Sequence, residues 1–134
     1  RSRAQTRTIM ADQWWEQLGK QFVQYYYSVF DTNRSGLSSL YRANSLLTFE
    51  GERFQGADNI QQKLNNLTFT RVVHNVVTID CQPSPSNGVV VFVSGQLKVD
   101  DEAAPLNFLQ VFHLAQEGSS VWVTNDMFRL NFAM

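Results

Sequence analysis

Leu46-Leu47-Thr48-Phe49-Glu50-Gly51-Glu52-Arg53-Phe54-Gln55-Gly56 is the stretch around which this chain is organised. Leu47 and Phe49 alternate with Thr48 and Glu50, the period of two expected of a strand with one buried face. Gly51 lets the backbone reverse where a β-carbon would resist, and Gly56 ends the return run just before a helical pattern. The segment reads as a short hairpin with Glu50 at the end of an apolar strand, beside an aromatic ring. Desolvating a lone carboxylate is costly. Glu50 is therefore either a solvated turn residue or a carboxylate on the rim of an apolar surface, open to a cationic partner.

Upstream of the hairpin, Asp12 is a candidate N-cap for a long first helix. Trp15, Leu18, Phe22, Tyr25 and Val29 follow at helical spacing as one apolar stripe, with Trp14 and Tyr27 off it. Tyr25-Tyr26-Tyr27 invites comparison with a base-stacking platform, but aromatics at helical spacing read as core. Asp31-Thr32-Asn33-Arg34-Ser35-Gly36 stops the helix, and Leu37 to Tyr41 reads as a short second one. After Gly56, Ile60, Leu64 and Leu67 predict a third helix from about Ala57 to Leu67.

Beyond it the chain turns to strands. Thr68 to Asp80 is rich in β-branched residues, and Gln82 to Gly88 is dense turn chemistry whose prolines exclude a central ladder. Val89 to Val99 is the next strand, with Gly95 marking a bulge or bend. Leu106 to Gln116 and Val121 to Phe132 close the chain as two more. Long strands with short connectors, preceded by three helices, predict an α+β fold: an antiparallel meander in a curved sheet with helices on one face.

The chain has 134 residues, 43% of them apolar and 13% aromatic, which suits one ordered domain with a real core. Arg1, Arg3 and Arg7 lie in a stretch without periodicity, so residues 1–9 read as a flexible extension or expression remnant and 10–134 as the domain. Net charge is −1; without residues 1–9 it is 8 basic against 12 acidic residues, or −4. Such a body offers little to phosphate, which argues against nucleic acid. No apolar run approaches the ~20 residues of a membrane span, and the polar, basic start does not read as a signal peptide. The single cysteine, Cys81, forms no internal disulfide, so a reducing compartment, cytosol or nucleus, is expected.

Chemistry-bearing motifs are sparse. The chain contains no H-E-x-x-H, Cys-x-x-Cys, glycine-rich phosphate loop or Gly-x-Ser-x-Gly. His74 and His113, each in an apolar strand, read as hydrogen-bonded structural histidines. Asp80 is a general base only if its surroundings are apolar, and Cys81, with no Lys or Arg adjoining it in the sequence, reads as an inert thiol. The cluster Asp100-Asp101-Glu102 does not match the spacing of an EF-hand loop. It reads as a solvated loop or, if near Glu50, as part of an acidic rim suited to a basic protein partner.

From about Trp14 to Phe132 the chain resembles the nuclear transport factor 2 family. The resemblance rests on Trp15-Glu16-Gln17, Phe30-Asp31, Leu47-Thr48-Phe49-Glu50-Gly51, Phe54-Gln55-Gly56 and Cys81-Gln82-Pro83. It continues through Gly95-Gln96-Leu97-Lys98 to Thr124-Asn125-Asp126-Met127-Phe128-Arg129-Leu130. Phe30 to Arg34 and Leu47 to Gly51 look most like plant members.

The resemblance implies a cone, a strongly bent antiparallel sheet packed on three helices, that forms a homodimer through its sheets. It implies a carrier without enzymatic activity or cofactor, shuttling among cytoplasm, nucleus and the pore complex of the nuclear envelope. Its partners would be the GTPase Ran in its GDP form and the Phe-x-Phe-Gly repeats of nucleoporins, with neither nucleic acid nor membrane insertion. Carried over by motif, Glu50, Asp100 and Glu102 are the Ran-binding rim, and Phe49, Leu67, Phe69, Val72 and Phe128 the cavity that takes an aromatic residue of Ran. Trp15 and Asp31 fall on the repeat-binding site and Met127 on the dimer interface. Two positions depart from the family: Phe49 replaces the usual tryptophan, and the segment from Asp101 to Asn107 differs in detail. The alternatives are a cone-fold isomerase or dehydratase and an adaptor subunit of an export receptor.

Overall fold

The computed structural model describes residues 13–102 and 104–131; the readings made on residues 1–9, Asp12 and Phe132 lie outside them. Helix α1 spans Trp14–Thr32, with Gln13 at its cap position and the Gln13 amide donating to Glu16 Oε1 at 3.2 Å. Its buried face is Gly19, Phe22, Val23, Tyr26, Tyr27 and Phe30. The expected stripe is thus displaced around the helix: Tyr25 is 56% exposed, whereas Tyr27 is buried. Gly19 supplies the reason. A β-carbon there would stand 2.4 Å from Cys81 Sγ and 3.1 Å from Val91 Cγ2, so the helix packs tightly on the sheet at a residue with no hydropathy to read.

A 3-10 helix, Arg34–Leu40, replaces the expected second helix, and Tyr41 already belongs to a strand. Strands β1 (Tyr41–Phe49) and β2 (Glu52–Gln55) form the hairpin, followed by α2 (Ala57–Asn65), two residues shorter than expected. Ile60 and Leu64 are its buried residues. The long strands are β3 (Val72–Ser84), β4 (Gly88–Val99), β5 (Leu106–Glu117) and β6 (Ser120–Leu130). They make the antiparallel meander, and the sheet order is β2-β1-β6-β5-β4-β3. One pairing departs from the antiparallel expectation: β1 runs parallel to β6, so the six-stranded sheet is mixed.

Strand β3 begins and ends four residues later than expected and carries Pro83 opposite Val89. A proline is tolerated there because β3 is an edge strand, whose outward positions need no ladder donor. The irregularity foreseen at Gly95 lies across from it: Val76 pairs with Gly95 and Thr78 with Ser94, leaving Val77 bulged. A β-carbon on Gly95 would meet Asn75 O at 2.5 Å and the Phe108 ring at 3.0 Å.

The core lies between α1 and the concave face of the sheet. Val89, Val91 and Val93 alternate inward from β4, and Phe108, Phe112 and Leu114 from β5, against Phe22, Tyr26 and Tyr27. The convex face is also apolar in part. Register aligns Asp80, Phe92, Val111, Met127 and Thr48 in one row across five strands, with Phe92 41% and Met127 50% exposed.

Candidate functional site

Between α1, α2 and the open end of the sheet is a cavity of about 260 Å³. All five expected cavity residues, Phe49, Leu67, Phe69, Val72 and Phe128, line it. Phe49 and Phe128 stack at 4.7 Å with 12° between their planes, because β1 and β6 pair in parallel with these two residues opposite each other. Lys63 of α2 sits 5.3 Å over the Phe49 ring and 5.4 Å over Phe54, and pairs with Glu52 at 3.2 Å. On the other side the Arg34 guanidinium lies 4.7 Å over Phe69, and its Nη2 donates to the Phe69 carbonyl at 3.2 Å. That contact ties the segment 66–71, which supplies Leu67, Thr68 and Phe69 to the wall, to the 3-10 helix.

Glu50 and Asp100 stand at two turns beside this cavity, each directly after a lining residue, Phe49 and Val99. Glu50 (φ 51°) and Gly51 (φ 88°) are both left-handed, as a two-residue turn of type I′ requires. The Glu50 amide donates to Phe128 O at 3.0 Å and its Oε1 accepts the Leu130 amide at 2.7 Å. Glu50 is thus a half-buried turn residue next to the cavity, with one carboxylate oxygen fastened to the last strand. Asp100 (φ 48°) is exposed, and its Oδ1 accepts the amides of Arg71 at 2.9 Å and Thr70 at 3.0 Å and the Thr70 hydroxyl at 3.1 Å. These hydrogen bonds, that from the Arg71 amide foremost, hold its carboxyl below the usual range. Asp101 pairs loosely with Arg71 at 3.4 Å, and Glu102 is exposed.

The remaining expected residues are spread apart. Trp15 and Asp31 sit near opposite ends of α1, sixteen residues or about 24 Å from each other. Trp15 meets exposed Trp14 edge-on at 5.7 Å. Asp31 binds His74 twice, accepting its amide at 2.9 Å and pairing with Nδ1 at 2.7 Å, while the His74 ring stacks on Tyr27 at 4.5 Å. Both histidines are hydrogen-bonded, His113 through Nε2 to Ser84 Oγ at 2.8 Å. Asp80 is exposed on the edge strand, outside the cavity, so it lacks the apolar surroundings a general base would need. Met127 lies on the convex face.

A polar floor escaped the sequence reading. Asp126, Gln110, Tyr26 and His74 line the cavity among its hydrocarbon walls. Asp126 is 1% exposed; its Oδ2 accepts the Tyr41 hydroxyl at 2.7 Å and its Oδ1 the Gln110 amide at 2.7 Å. Burial pushes its carboxyl up to about 6, against the opposing pull of those donors. The signal was present, since Phe128 and Asp126 are two residues apart on one strand and so share a face. A break in register between His113 and Leu114, with Thr124 unpaired opposite, reverses the parity counted forward from Val123 and hides it.

Residues 18–130 match the nuclear transport factor 2 (NTF2) domain. The nuclear transport factor 2 of Saccharomyces cerevisiae is 49% identical over 117 residues, covering 87% of this chain and 94% of that protein. Nuclear transport factor 2B of Arabidopsis thaliana is 50% identical over 118 residues, covering 87% and 94%. The fungal and plant relatives thus stand equally near. The solved structure of the factor from Cryptosporidium parvum superposes with a TM-score of 0.84 at 50% identity, covering 87% of this chain and 94% of that one. A putative scytalone dehydratase from Novosphingobium aromaticivorans, 12% identical over 84% of this chain and 81% of its own, shares the fold alone at a TM-score of 0.72.

Proposed function

Because this chain belongs to the nuclear transport factor 2 family, we propose that it is a nuclear transport carrier, without enzymatic activity, that takes Ran in its GDP form through the pore. The observation that supports this most is an apolar cavity flanked by the carboxylates of Glu50 and Asp100. Burying one aromatic side chain contributes roughly 1.5–3 kcal/mol, too little alone for a specific complex. Charge pairs at Glu50, Asp100 and Glu102 add affinity and register, and they select the nucleotide state whose switch segment reaches them. Lys63 and Arg34 are engaged with rings and Glu52 or the Phe69 carbonyl, so they buttress the wall, while Arg71, beside Asp100, pairs loosely with Asp101.

A homodimer through the convex face would cover Phe92, Val111 and Met127 and double each weak repeat site. An extended Phe-x-Phe-Gly segment spans about 14 Å, so one repeat touches both Trp15 and Asp31 only if they come from different protomers. Cytoplasm, nucleus and the pore complex are the compartments this role implies. The alternatives are an isomerase or dehydratase that would use Asp126 at the cavity floor, and an export-receptor adaptor, against which a stable homodimer would speak. The deciding experiment is isothermal titration against Ran loaded with GDP and, separately, with a GTP analogue. Binding to the GDP form alone, one Ran per protomer, is expected. Binding to neither by folded protein would overturn the reading.

A further inference from the structure

The carrier role leaves the floor of the cavity unused, because an inserted phenyl ring has no polar atom to offer it. The floor is nonetheless built to accept a hydrogen bond. An ionised carboxylate has about four acceptor positions, and Asp126 has two close donors, Tyr41 and Gln110, both at 2.7 Å. The third, the Tyr26 hydroxyl, stands at 3.5 Å and is held more closely by the Tyr41 hydroxyl at 2.8 Å. Gln110 is committed on its other side as well, its Oε1 accepting the Tyr27 hydroxyl at 2.6 Å. The cavity therefore presents a spare acceptor, while one N–H of the Gln110 amide and the Tyr41 and Tyr27 hydroxyls are turned towards partners within the protein.

The walls set the rest of the ligand. Phe49, Phe69, Phe128, Leu67 and Val72 enclose about 260 Å³, and an apolar cavity of roughly 150 Å³ already admits benzene. A ring fits between them. A negatively charged ligand is rejected by Asp126, and an ammonium ion would have to shed its water among these side chains.

We propose that the cavity is a binding site for small neutral phenols, the ring packed among Phe49, Phe69 and Phe128 and the hydroxyl donating to the Asp126 carboxylate. The phenol binds as a free molecule, and its binding does not depend on any protein partner. A site that discriminates by one buried hydrogen bond rejects an analogue lacking the donor, because the acceptor is then left dry and unpaired.

The test compares p-cresol with 4-methylanisole, the same shape without the O–H, by titration followed in carbon–proton methyl spectra at pH 8. The expected result is that p-cresol binds at least tenfold more tightly than the ether, with shifts at the methyls of Leu67 and Val72 and none at Met127. Asp126→Asn, shown folded by circular dichroism, should reduce that preference to threefold or less. Equal binding of the two probes to the wild-type protein, no binding of p-cresol, or shifts centred on Met127 would each overturn the proposal, whether or not the variant folds. The carrier reading shares these walls but is read by its own titration against Ran-GDP, so a failure of this site and a failure of that reading are distinguishable.

Discussion

Glu50 Oε1 accepts the amide of Leu130 at 2.7 Å, which ties the tip of the first hairpin to the end of the last strand. A carboxylate read from the sequence as a solvated turn residue or a rim group is thus part of the fold, and the proposed contact with Ran can be tested apart from that. Glu50→Gln keeps an oxygen for Leu130 and removes the charge; stability should fall by no more than about 1 kcal/mol, while affinity for Ran-GDP falls at least tenfold. Glu50→Lys removes the acceptor as well. It should abolish binding, retain native circular dichroism and lose about 1–3 kcal/mol in urea unfolding. Undiminished binding by folded Glu50→Lys would remove Glu50 from the rim.

Arg34 should matter to the cavity without touching what enters it. Its guanidinium covers Phe69 and anchors that residue's carbonyl, yet among the described residues its Nη1 and the nearby Gln61 Oε1 are buried without a hydrogen-bond partner. That unsatisfied pair offsets part of what the stacking contributes, so Arg34→Ala should cost only about 1 kcal/mol of stability. Its main effect should be local: faster amide exchange in residues 67–71 and several-fold weaker binding of any ring in the cavity. Arg34→Lys should not restore either, since an ammonium cannot stack flat on Phe69 while reaching its carbonyl. Unchanged exchange in that segment would show that β3 and Asp100 hold it unaided.

The hairpin was legible in the residues themselves, since Leu47 and Phe49 alternate and Gly51 permits the reversal. So were the long strands and α2, to within a few residues, because each element's period is local. What failed was non-local. The buried face of α1 turns on Gly19, which fits against Cys81 and Val91 only once the sheet exists. The parallel partnership of β1 with β6 depends on tertiary packing, and the register breaks at Val77 and Thr124 reverse side-chain parity with nothing in composition to announce them. Asp126 was lost to the second of these. An acidic rim at Glu50 and Asp100 was one of the readings open from the residues, its assignment to Ran came through resemblance, and the turns that hold both residues left-handed became visible only in the structure.

The convex row through Phe92, Val111 and Met127 should decide the oligomeric state. Phe92 is 41% exposed and faces away from the core, so Phe92→Lys should fold with little change in stability. In a dimer built on this face it would set two ammonium groups against each other in a desolvated interface. Sedimentation equilibrium should give a dimer for the wild type and a monomer for the variant. A monomeric wild type would remove the homodimer and, with it, the avidity at the pore.

Asp126 should make stability depend on pH in the direction opposite to an ion-paired carboxylate. Its carboxyl is ordinary in the unfolded chain, near 3.8, and rises to about 6 in the fold. Between those values the native state holds a proton that the unfolded state has lost, so raising the pH favours unfolding. The stabilising effect of a neutral Asp126 is complete below about pH 4 and is lost as the pH passes through about 6. A shift of roughly two pK units corresponds to about 3 kcal/mol at most, one unit being 1.36 kcal/mol. Other groups titrate over the same range, so the measurement is a difference: unfolding free energy of wild type minus Asp126→Asn in urea at pH 4.5, 5.5, 6.5 and 7.5. That difference should shift against the wild type by about 1–3 kcal/mol from the lowest pH to the highest. The Tyr41 hydroxyl can turn to accept from the asparagine amide, so the variant keeps a satisfied floor while losing the titration. A flat difference across this range would mean that Tyr41 and Gln110 hold the carboxylate charged throughout. An increasing one would mean that they lower its pKa below that of the unfolded chain, the reverse of what its burial implies.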